Sequence, residues 1–570
     1  MKYFAVSAYF DKPFYIIFSL LCILIVLPIL ISCSGHDKTT PQTTDNKSQH
    51  QPQHFNSPPL ILSILPVESP GAMYERFVPL KYYLEGVLKR QVIIKVAKDY
   101  ETAIKEIGEG HSHLAFLDPA AYCEARAKYK NKVIPLVSPI GKDGATSRSV
   151  IVVKANSGIE RIIDLKGKRL ALGNKQSSFS YLIPLAMLNE VSLGTGDFAG
   201  MDFLQQEDRV ALSVLIGYHD VGAISESVAK KYTNDGLKII KASEAIPSFI
   251  LCGTGSLQDQ VKSEIVKALE SLKDKTILSP IEKDIAGFTS ALDRDFDVIR
   301  VMIKNLTGKD YVEYAPQTVK FAVLPLYSPI ALYNRYDPLM RYLSQKTGYE
   351  FKLVIPRDFE DFMQIVKDGR ADFSYQNPYI FALIDKEIDI KPLVTTIGED
   401  KLSDEYAEPG DKFRGVIITR HDSAIKDIKD LRNKKVLITS PKSAGGYLSQ
   451  RITLMENGID TDKDMKIIDA KRQENVIFGV YRGEADAGFV REAALVVWKD
   501  AVDMKQIRIL AKTKYLPNWP VAQCSIRNPS LGIKVMRLLV ELKDNEILKA
   551  AKIKGFKPAN EAELEALKRY

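Results

Sequence analysis

Two short segments rich in serine, glycine and tyrosine carry residue types that suit anion binding. They read Ser177-Ser178-Phe179-Ser180-Tyr181 and Ser443-Ala444-Gly445-Gly446-Tyr447. At the start of a helix, the first backbone N–H groups have no partner within the helix and carry partial positive charge, so they attract an oxyanion. Hydroxyl side chains add donors, and glycine lets the backbone approach a ligand closely. The plain alternative is that these residues only cap a helix, which is the commonest role of serine there.

The sequence around these segments occurs twice in the chain. Leu65-Pro66-Val67-Glu68-Ser69-Pro70 recurs as Leu324-Pro325-Leu326-Tyr327-Ser328-Pro329, at a constant offset of 325 − 66 = 259. Further along, the offset becomes 447 − 181 = 266, because the second copy carries an extra polar stretch within 398–412. Such a stretch is typical of a surface loop insertion. A repeat of this length predicts a duplicated domain.

Short β-branched runs alternate with helical patterns in each copy. We expect first strands at 60–65 and 319–324, and amphipathic helices over 79–89 and 338–346 that begin at a proline. Alternation of this kind predicts α/β lobes with mostly parallel sheets.

The first sixty residues predict export and anchoring. Lys2 and Lys12 lie beside an apolar run over 14–31, which is long enough to enter a bilayer. Leu30-Ile31-Ser32-Cys33 resembles the bacterial lipobox, so Cys33 is the expected lipidation site. The alternative is a plain signal-anchor helix. Residues 36–59 are rich in polar residues and proline, which predicts a flexible tether between membrane and protein.

Composition excludes several other classes of protein. The 570 residues are too many for one core, and 45% hydrophobic content with a net charge of +8 is ordinary for a folded domain protein. Basic residues form no block of the kind that binds nucleic acid. Beyond Cys33, the downstream cysteines are Cys123, Cys252 and Cys524, which are either buried thiols or include a Cys123–Cys252 bridge. The histidines lack metal-ligand spacing, so we expect no metal site.

Both copies resemble the phosphonate-, phosphite- and phosphate-binding proteins of ABC importers (PhnD-like). The matching motifs are Asp99-Tyr100, Pro119-Ala120-Ala121-Tyr122 and the segment 150–173 in the first copy, with Asp358-Phe359, Pro378-Tyr379-Ile380-Phe381 and 416–439 in the second. The resemblance implies tandem type II periplasmic binding protein domains of the α/β class. Each domain would have two α/β lobes that close on ligand about a two-stranded hinge.

The expected boundaries follow from the repeat and the resemblance together. We expect a signal peptide over 1–32 and a tether over 33–58. The first binding domain should span 59–312, with its second lobe at about 147–243. The second should span 318–570, with its second lobe at about 413–512.

The resemblance also implies which residues face the ligand. The serine segments should open a helix in each second lobe, with aromatic residues of the first lobe opposite. The predicted ligand-binding residues are Tyr100, Tyr122, Ser177, Ser178, Tyr181 and Glu207 in the first copy, and Tyr379, Ser443, Gly445, Tyr447, Gln473 and Arg491 in the second. Core packing is the competing account for Tyr122, and surface pairing with Glu492 or Glu484 is the competing account for Arg491.

The two copies differ from the family pattern, and from each other, at positions expected to face ligand. Where phosphonate binders tend to have a His-Asp step, the copies have Glu207-Asp208 and Gln473-Glu474. Where the family tends to place an Asp, they have Ser225 and Arg491. An arginine suits a fully ionised phosphate or a second anionic group, whereas a glutamate repels a dianion unless it takes up a proton. The copies therefore need not bind the same ligand.

These observations together predict an exported, lipid-anchored solute-binding protein, at a periplasm-facing membrane (inner or outer) or the cell surface. It would capture a small oxyanion of the phosphonate, phosphite or phosphate type for an ABC importer. The alternative is a ligand-sensing lipoprotein that reports to a signalling partner, with one site degenerate. The sequence shows no nucleophile–base constellation and no cofactor loop, so we expect neither catalysis nor a cofactor.

Overall fold

The computed structural model describes residue 55 and residues 57–570, apart from 313–315, 399–400, 404–405, 408–409 and 526–527. The expected signal peptide, Cys33 and most of the expected tether lie outside these described residues. Within the described part of the chain, no helix is both long enough and apolar enough to cross a membrane.

Strands and helices alternate along the first copy. In chain order they are β1 (Leu60–Ile64), α1 (Pro70–Leu88), β2 (Val92–Val96), α2 (Tyr100–Glu109), β3 (Leu114–Leu117), α3 (Pro119–Tyr129), β4 (Val133–Ile140), β5 (Thr146–Ser147), β6 (Ser149–Lys154), β7 (Arg169–Leu172), α4 (Ile183–Glu190), β8 (Gly200–Phe203), α5 (Glu207–Leu215), β9 (Val221–Ser225), α6 (Glu226–Tyr232), β10 (Leu237–Ala242), β11 (Ile246–Pro247), β12 (Ile250–Thr254), α7 (Asp259–Ser271), α8 (Lys275–Ile281), β13 (Gly287–Ser290) and α9 (Asp297–Thr307). A wide π-helical turn, Ser178–Leu182, leads directly into α4.

The first copy forms two lobes joined by a small hinge. The first lobe has a sheet of order β2-β1-β3-β12-β4-β13, and the second lobe has a sheet of order β8-β7-β9-β6-β10. Strands β5 and β11 pair antiparallel where the chain passes from one lobe to the other and back. We call the interface between these lobes the first cleft.

The second copy repeats this order of elements. They are β14 (Val319–Val323), α10 (Pro329–Thr347), β15 (Phe351–Val354), α11 (Phe359–Lys367), β16 (Phe373–Tyr375), α12 (Pro378–Asp385), β17 (Lys391–Gly398), β18 (Lys401–Ser403), β19 (Tyr406–Ala407), β20 (Lys412–Phe413), β21 (Gly415–Arg420), β22 (Lys435–Ile438), α13 (Ser449–Glu456), α14 (Thr461–Asp464), β23 (Lys466–Asp469), α15 (Gln473–Tyr481), β24 (Ala487–Arg491), α16 (Glu492–Val497), β25 (Ile507–Lys512), β26 (Leu516–Pro517), β27 (Pro520–Gln523), α17 (Pro529–Val540), α18 (Asn545–Ala551), β28 (Ile553–Pro558) and α19 (Glu561–Glu565).

The sheets of the second copy match those of the first strand for strand. The first lobe has the order β15-β14-β16-β27-β17-β28, and the second lobe has the order β23-β22-β24-β21-β25. The hinge is the pair β20 and β26, and the π-helical turn before α13 is Ala444–Leu448. The polar insertion holds the short paired strands β18 and β19. We call the interface between these two lobes the second cleft.

The expectation of mostly parallel sheets is wrong. In the first lobe, β1 pairs in parallel with β2 and β3, but β12 runs antiparallel to both β3 and β4. The reason is connectivity: the strands that follow a crossing between lobes enter each sheet from the opposite end, so the sheets are mixed. The hydrophobicity of a strand does not indicate whether it runs parallel or antiparallel to its neighbours.

The expected helix starts at Pro79 and Pro338 are also wrong. The helices begin nine residues earlier, at Pro70 and Pro329, and the two later prolines lie inside α1 and α10. Ser69 accepts a hydrogen bond from the Ala72 N–H, so it caps α1, and Pro70 occupies the first helical position, where a missing N–H costs nothing. The capping serine therefore decides the helix start, not the second proline.

Cys123, Cys252 and Cys524 are free thiols in the structure. Cys123 and Cys252 are fully buried, and burial raises the pKa of each thiol to about 12. They are therefore small apolar side chains of the first lobe's core rather than a bridge.

Candidate functional site

The serine segment of the first copy meets a carboxylate from the opposite lobe. Ser177 caps the π-helical turn by accepting from the Ser180 N–H. The Ser178 N–H donates to Oδ2 of Asp118 at 2.8 Å, and the Ser178 hydroxyl accepts from the Ala120 N–H at 2.7 Å. The helix start that was expected to bind an external oxyanion therefore holds a carboxylate of the protein itself.

Asp118 is placed for this contact by its own helix. It caps α3, because its Oδ1 accepts from the Ala121 N–H at 2.9 Å. The side chain is fully buried, and this burial raises its pKa to about 6 despite the hydrogen bonds it accepts. Tyr100 lies beside it, and burial next to Asp118 and Glu207 raises the pKa of Tyr100 well above its usual value.

A second carboxylate, Glu207, lies deep in the first cleft. Its Oε2 accepts from the Ser225 N–H at 2.9 Å and from the Ser225 hydroxyl at 2.5 Å. Its Oε1 is buried without a hydrogen-bond partner among the described residues. Burial raises the pKa of Glu207 to about 7, with smaller contributions from the nearby charges of Glu68 and Asp118. The burial that raises both carboxyl pKa values disfavours any negative charge in this interior, so the interior is unfavourable for an anion.

The rim and interior of the first cleft are closed by further contacts between the lobes. The Glu207 N–H donates to the Val67 carbonyl at 2.9 Å, and Lys231 bonds to Glu68 at 2.7 Å. Burial works to raise the pKa of Glu68, but the cations Arg76 and Lys231 outweigh it and hold that pKa below the usual range. Inside, Phe249 stacks on Phe116 of the first lobe and on Phe179 of the second, at 5.3 and 5.5 Å between ring centroids.

The second cleft has a neutral residue where the first has Asp118. Asn377 caps α12 by accepting from the Tyr379 and Ile380 N–H groups, each at 2.9 Å. Across the cleft, Ser443 caps the turn by accepting from the Gly446 N–H at 3.0 Å. Asn377 reaches the Lys442 carbonyl, at 3.4 Å, through its amide nitrogen. No charge of Asn377 therefore competes for the helix start at Ser443.

Arg491 lies at the position of Ser225, next to the helix start of the second copy. Its N–H donates to Oε1 of Gln473 at 2.9 Å, which repeats the Glu207–Ser225 contact with a neutral acceptor. Its guanidinium lies over the ring of Phe413 at 4.6 Å. A Cβ at Gly445 would lie 3.0 Å from the Phe413 ring and 3.1 Å from the Arg491 Cβ. A side chain at 445 would therefore need Phe413 or Arg491 to move by a few tenths of an ångström.

Aromatic side chains and a second arginine line the first-lobe side of the second cleft. Tyr375 packs against Tyr336 and Trp519, with ring centroids 5.5 and 5.2 Å apart. Arg335 lies over the ring of Tyr327 at 4.0 Å. Burial raises the pKa of Tyr375, which also lies close enough to Arg491 to feel its charge. Hydroxyl donors and guanidinium groups from both lobes thus surround one region.

Three paired positions set the charge difference between the clefts. Asp118 corresponds to Asn377, Glu207 to Gln473 and Ser225 to Arg491. Each change makes the second cleft more positive. The first cleft holds a protein carboxylate at the helix start, whereas the second brings a guanidinium there.

Four of the predicted ligand-binding residues make their described contacts away from the residues that surround the two helix starts. Tyr122 donates to Asp293 at 2.8 Å and packs on Phe296, contacts typical of the core packing that the sequence left open. Tyr181 packs on Phe203. Tyr379 donates to the carbonyl of Tyr570, and Tyr447 bonds with Asp462 at 3.1 Å. For Arg491, the suggested surface partners are engaged elsewhere: Glu492 bonds Arg414 and Lys512, and Glu484 bonds Arg482.

Sequence reasoning missed Asp118, the Glu68–Lys231 pair and the aromatic wall of the second cleft. An available signal for Asp118 was its position directly before Pro119, which is typical of a helix cap. Its contact with Ser178 joins residues sixty positions apart and depends on closure of the lobes, which no local pattern reports.

Comparison with known proteins gives the family. The family described as "ABC transporter, phosphonate, periplasmic substrate-binding protein" matches residues 62–296 and again 321–564. The chain belongs to this family. It carries two tandem copies, and members of the family are substrate-binding proteins rather than enzymes. The extracytoplasmic placement of the family applies to the chain as well.

Individual relatives are distant. The chain is 25% identical over 230 residues to the phosphate-import protein PhnD of Mycolicibacterium smegmatis, covering 39% of this chain and 69% of that protein. It is 22% identical over 274 residues to the tetrathionate sensor histidine kinase TtrS of Salmonella typhimurium, of which it spans only 43%, or 44% of this chain. Among solved structures, PhnD1 of Prochlorococcus marinus in complex with methylphosphonate is 18% identical, with a TM-score of 0.42 over 44% of this chain and 99% of that one.

Proposed function

We propose that this chain is a solute-binding lipoprotein whose second domain captures a small oxyanion of the phosphonate, phosphite or phosphate type for an ABC importer. In this proposal the ligand lies at the helix start formed by Ser443 and Gly445, between Arg491 and the tyrosines of the first lobe. The first domain does not capture an anion, because Asp118 already holds the corresponding helix start.

The observation that carries the proposal is the exchange of charge between equivalent positions. A helix start and an arginine together favour an oxyanion, and the guanidinium offers paired donors that match its geometry. A buried carboxylate at the same place repels an anion and competes for the same N–H group. Of the predicted ligand-binding residues, Ser443, Gly445, Gln473 and Arg491 therefore serve the ligand, while Ser177, Ser178 and Glu207 close the first cleft.

The test is a thermal-shift panel on the full chain with inorganic phosphate, phosphite, methylphosphonate and tetrathionate. At least one of the three phosphorus oxyanions should stabilise the protein. Arg491→Gln should lower the affinity for that anion about tenfold to a hundredfold, because a hydrogen bond to a charged group is lost. Arg420→Gln is the matched control, since Arg420 lies on the same sheet but bonds the exposed Asp422.

Two results would contradict the proposal. One is the absence of stabilisation by all three phosphorus oxyanions, including the case in which tetrathionate alone stabilises the protein. The other is equal weakening by Arg491→Gln and Arg420→Gln, which would mean that the loss of any positive charge, rather than the second cleft, reduces binding. Asp118→Asn in the first cleft should change the affinity much less than Arg491→Gln does, because Asp118 does not line the second cleft.

Lipid anchoring at Cys33 is part of the proposal and rests on the lipobox resemblance. Cys33→Ser should abolish incorporation of labelled fatty acid and leave an unprocessed precursor in the membrane fraction. Processing of that variant at the same bond as the parent would instead indicate an ordinary signal peptide.

Ligand sensing is the second candidate function. The self-occupied first cleft favours it, because a transporter component needs one binding domain and a sensor can use a second domain to relay the state of the first. Deletion of the gene should abolish uptake of the labelled anion if the chain serves an importer. Normal uptake with a lost transcriptional response to the anion would favour the sensor.

A further inference from the structure

Most of the side-chain bonds between the two domains join matching lobes. One further bond, from the Asn334 amide of α10 to the Ala245 carbonyl at 3.1 Å, lies beside the first hinge. On the first-lobe side, Arg341 of α10 bonds Asp295 at 2.9 Å, and the Tyr333 hydroxyl donates to the Arg294 carbonyl at 3.3 Å. The segment that carries Asp295 is fixed to α3 of the first lobe, because Tyr122 bonds Asp293 at 2.8 Å. The first lobe of one domain is thus joined to the first lobe of the other.

The second lobes are joined in the same way. Arg161 donates to the Tyr481 hydroxyl at 2.8 Å, with its guanidinium also near the Tyr481 ring. Ser192, just after α4, donates to Asn475 of α15. These contacts fix the second lobe of the first domain to the second lobe of the second domain.

Glu190, the last residue of α4, lies at the rim of the second cleft and contacts both of its lobes. It lies beside Ser328, the cap of α10 in the first lobe, and near enough to Arg472, which precedes α15 in the second lobe, to feel its charge. A cavity of about 150 Å³ adjoins it, lined in part by Tyr327, Arg357 and Arg472. The first domain is therefore in direct contact with the edge along which the second cleft opens.

From these contacts we propose that the two clefts open and close together. Opening the second cleft moves its second lobe relative to its first lobe. Since each of those lobes is joined to the matching lobe of the first domain, the same relative motion is imposed on the first domain. That motion separates Ser178 from Asp118 and Glu207 from Val67. The first domain, which has its own carboxylate in place of a ligand, thereby follows the state of the second.

Such coupling is reciprocal and does not depend on which anion binds. The contacts that close the first cleft stabilise the closed second cleft as well, and ligand that closes the second cleft tightens the first. This conformational relay goes beyond capture of a solute, and it holds for an importer component and for a sensor alike.

The test uses hydrogen exchange of the full chain without ligand. The Ser178 and Glu207 N–H groups each bond across the first cleft, so their exchange reports its opening. To open the second cleft, Lys442→Glu places a carboxylate opposite Glu360, the residue that Lys442 bonds across that cleft. Lys514→Glu is the matched control, because Lys514 bonds Glu456 and both belong to the second-lobe side.

Lys442→Glu should speed exchange at Ser178 and Glu207 about fivefold or more, the lower end of ordinary coupling between sites. Lys514→Glu should not. The combined changes Ser192→Ala and Tyr481→Phe remove both hydrogen bonds of the second-lobe joint while keeping side-chain shape. In that background Lys442→Glu should no longer affect the first cleft.

In the reverse direction, Lys231→Glu faces Glu68 in the first cleft. It should speed exchange of the Asn377 side-chain amide, which donates to the Lys442 carbonyl across the second cleft. Opening of either cleft alone would overturn the proposal, as would transmission that persists without the second-lobe joint. If neither substitution opens any cleft, the contacts named here do not hold the lobes closed, and the proposal is equally overturned.

Discussion

At the scale of single residues, Asp118 and Asn377 show how one atom changes the role of a site. Both cap the helix that follows them, through the same side-chain oxygen position. The Asp118 carboxylate also accepts from the Ser178 N–H at the helix start of the opposite lobe, whereas the Asn377 amide nitrogen donates to the Lys442 carbonyl. Both copies keep the helix cap and the fold, and the charge at this position distinguishes the first cleft from the second.

The raised pKa values of Asp118 and Glu207 predict that the first cleft loosens as pH rises. In the closed cleft they bind protons up to about pH 6 and 7, against ordinary values of 3.8 and 4.5 when exposed. The closed form is therefore favoured at pH 4 and loses that advantage as pH rises through 6 and 7, by on the order of 3 kcal/mol for each carboxyl. Exchange protection at Ser178, corrected for the chemical exchange rate, should fall at least tenfold from pH 5 to pH 7 and level off above.

The neutral residues of the second copy provide the test variants. Asp118→Asn and Glu207→Gln should flatten the pH profile, since the repeat already accommodates Asn377 and Gln473 at these positions. Asp208→Asn, one residue beyond Glu207, should leave the slope unchanged. A slope that survives both Asp118→Asn and Glu207→Gln would show that other groups control the closure.

Two local features predicted from the sequence are present in the structure, while their ligand-binding role stays a prediction. The segments at Ser177 and Ser443 do start helices, and Gln473 and Arg491 do meet in the second cleft. What could not be predicted was which groups face them, because Asp118, Glu68 and Lys231 come from segments far apart in the chain. Long-range pairing depends on how far the lobes close, and local residue patterns contain no information about that.

At the scale of elements, α1 and α10 show the limit of reading helix starts from proline alone. Each helix contains two prolines nine residues apart, of which only the first is at the helix start. An interior proline removes one backbone hydrogen bond and crowds the preceding turn. The helices persist because they pack along the first-lobe sheets with buried residues such as Phe77, Leu80 and Leu84.

Pro79→Ala should therefore raise the thermal stability of the protein. Restoring the hydrogen bond to the Glu75 carbonyl and removing the clash should contribute about 1–3 kcal/mol. Pro70→Ala is the control and should be close to neutral, because the first helical N–H has no helical partner in any case. The unfolding midpoints of the two variants test this, and a loss of stability in Pro79→Ala would show that the proline fits a bend the packing requires.

At the scale of the whole molecule, the duplication could be predicted because the spacing between matching motifs is kept in the two copies even where side chains differ. Strand order in both lobes is the same in each copy, as a duplicated domain requires. The direction of the strands and the contacts between the domains could not be predicted from the sequence. Both depend on how the chain crosses the hinge and on pairs such as Arg161–Tyr481, which are 320 residues apart.

We propose that the two copies of one fold provide one anion site. Isothermal titration of the full chain, with whichever anion of the panel stabilises it, measures this directly. We expect one anion bound per chain, with binding weakened much more by Arg491→Gln than by Asp118→Asn. Two equivalent anions per chain, or one anion whose affinity depends on Asp118 and not on Arg491, would contradict it.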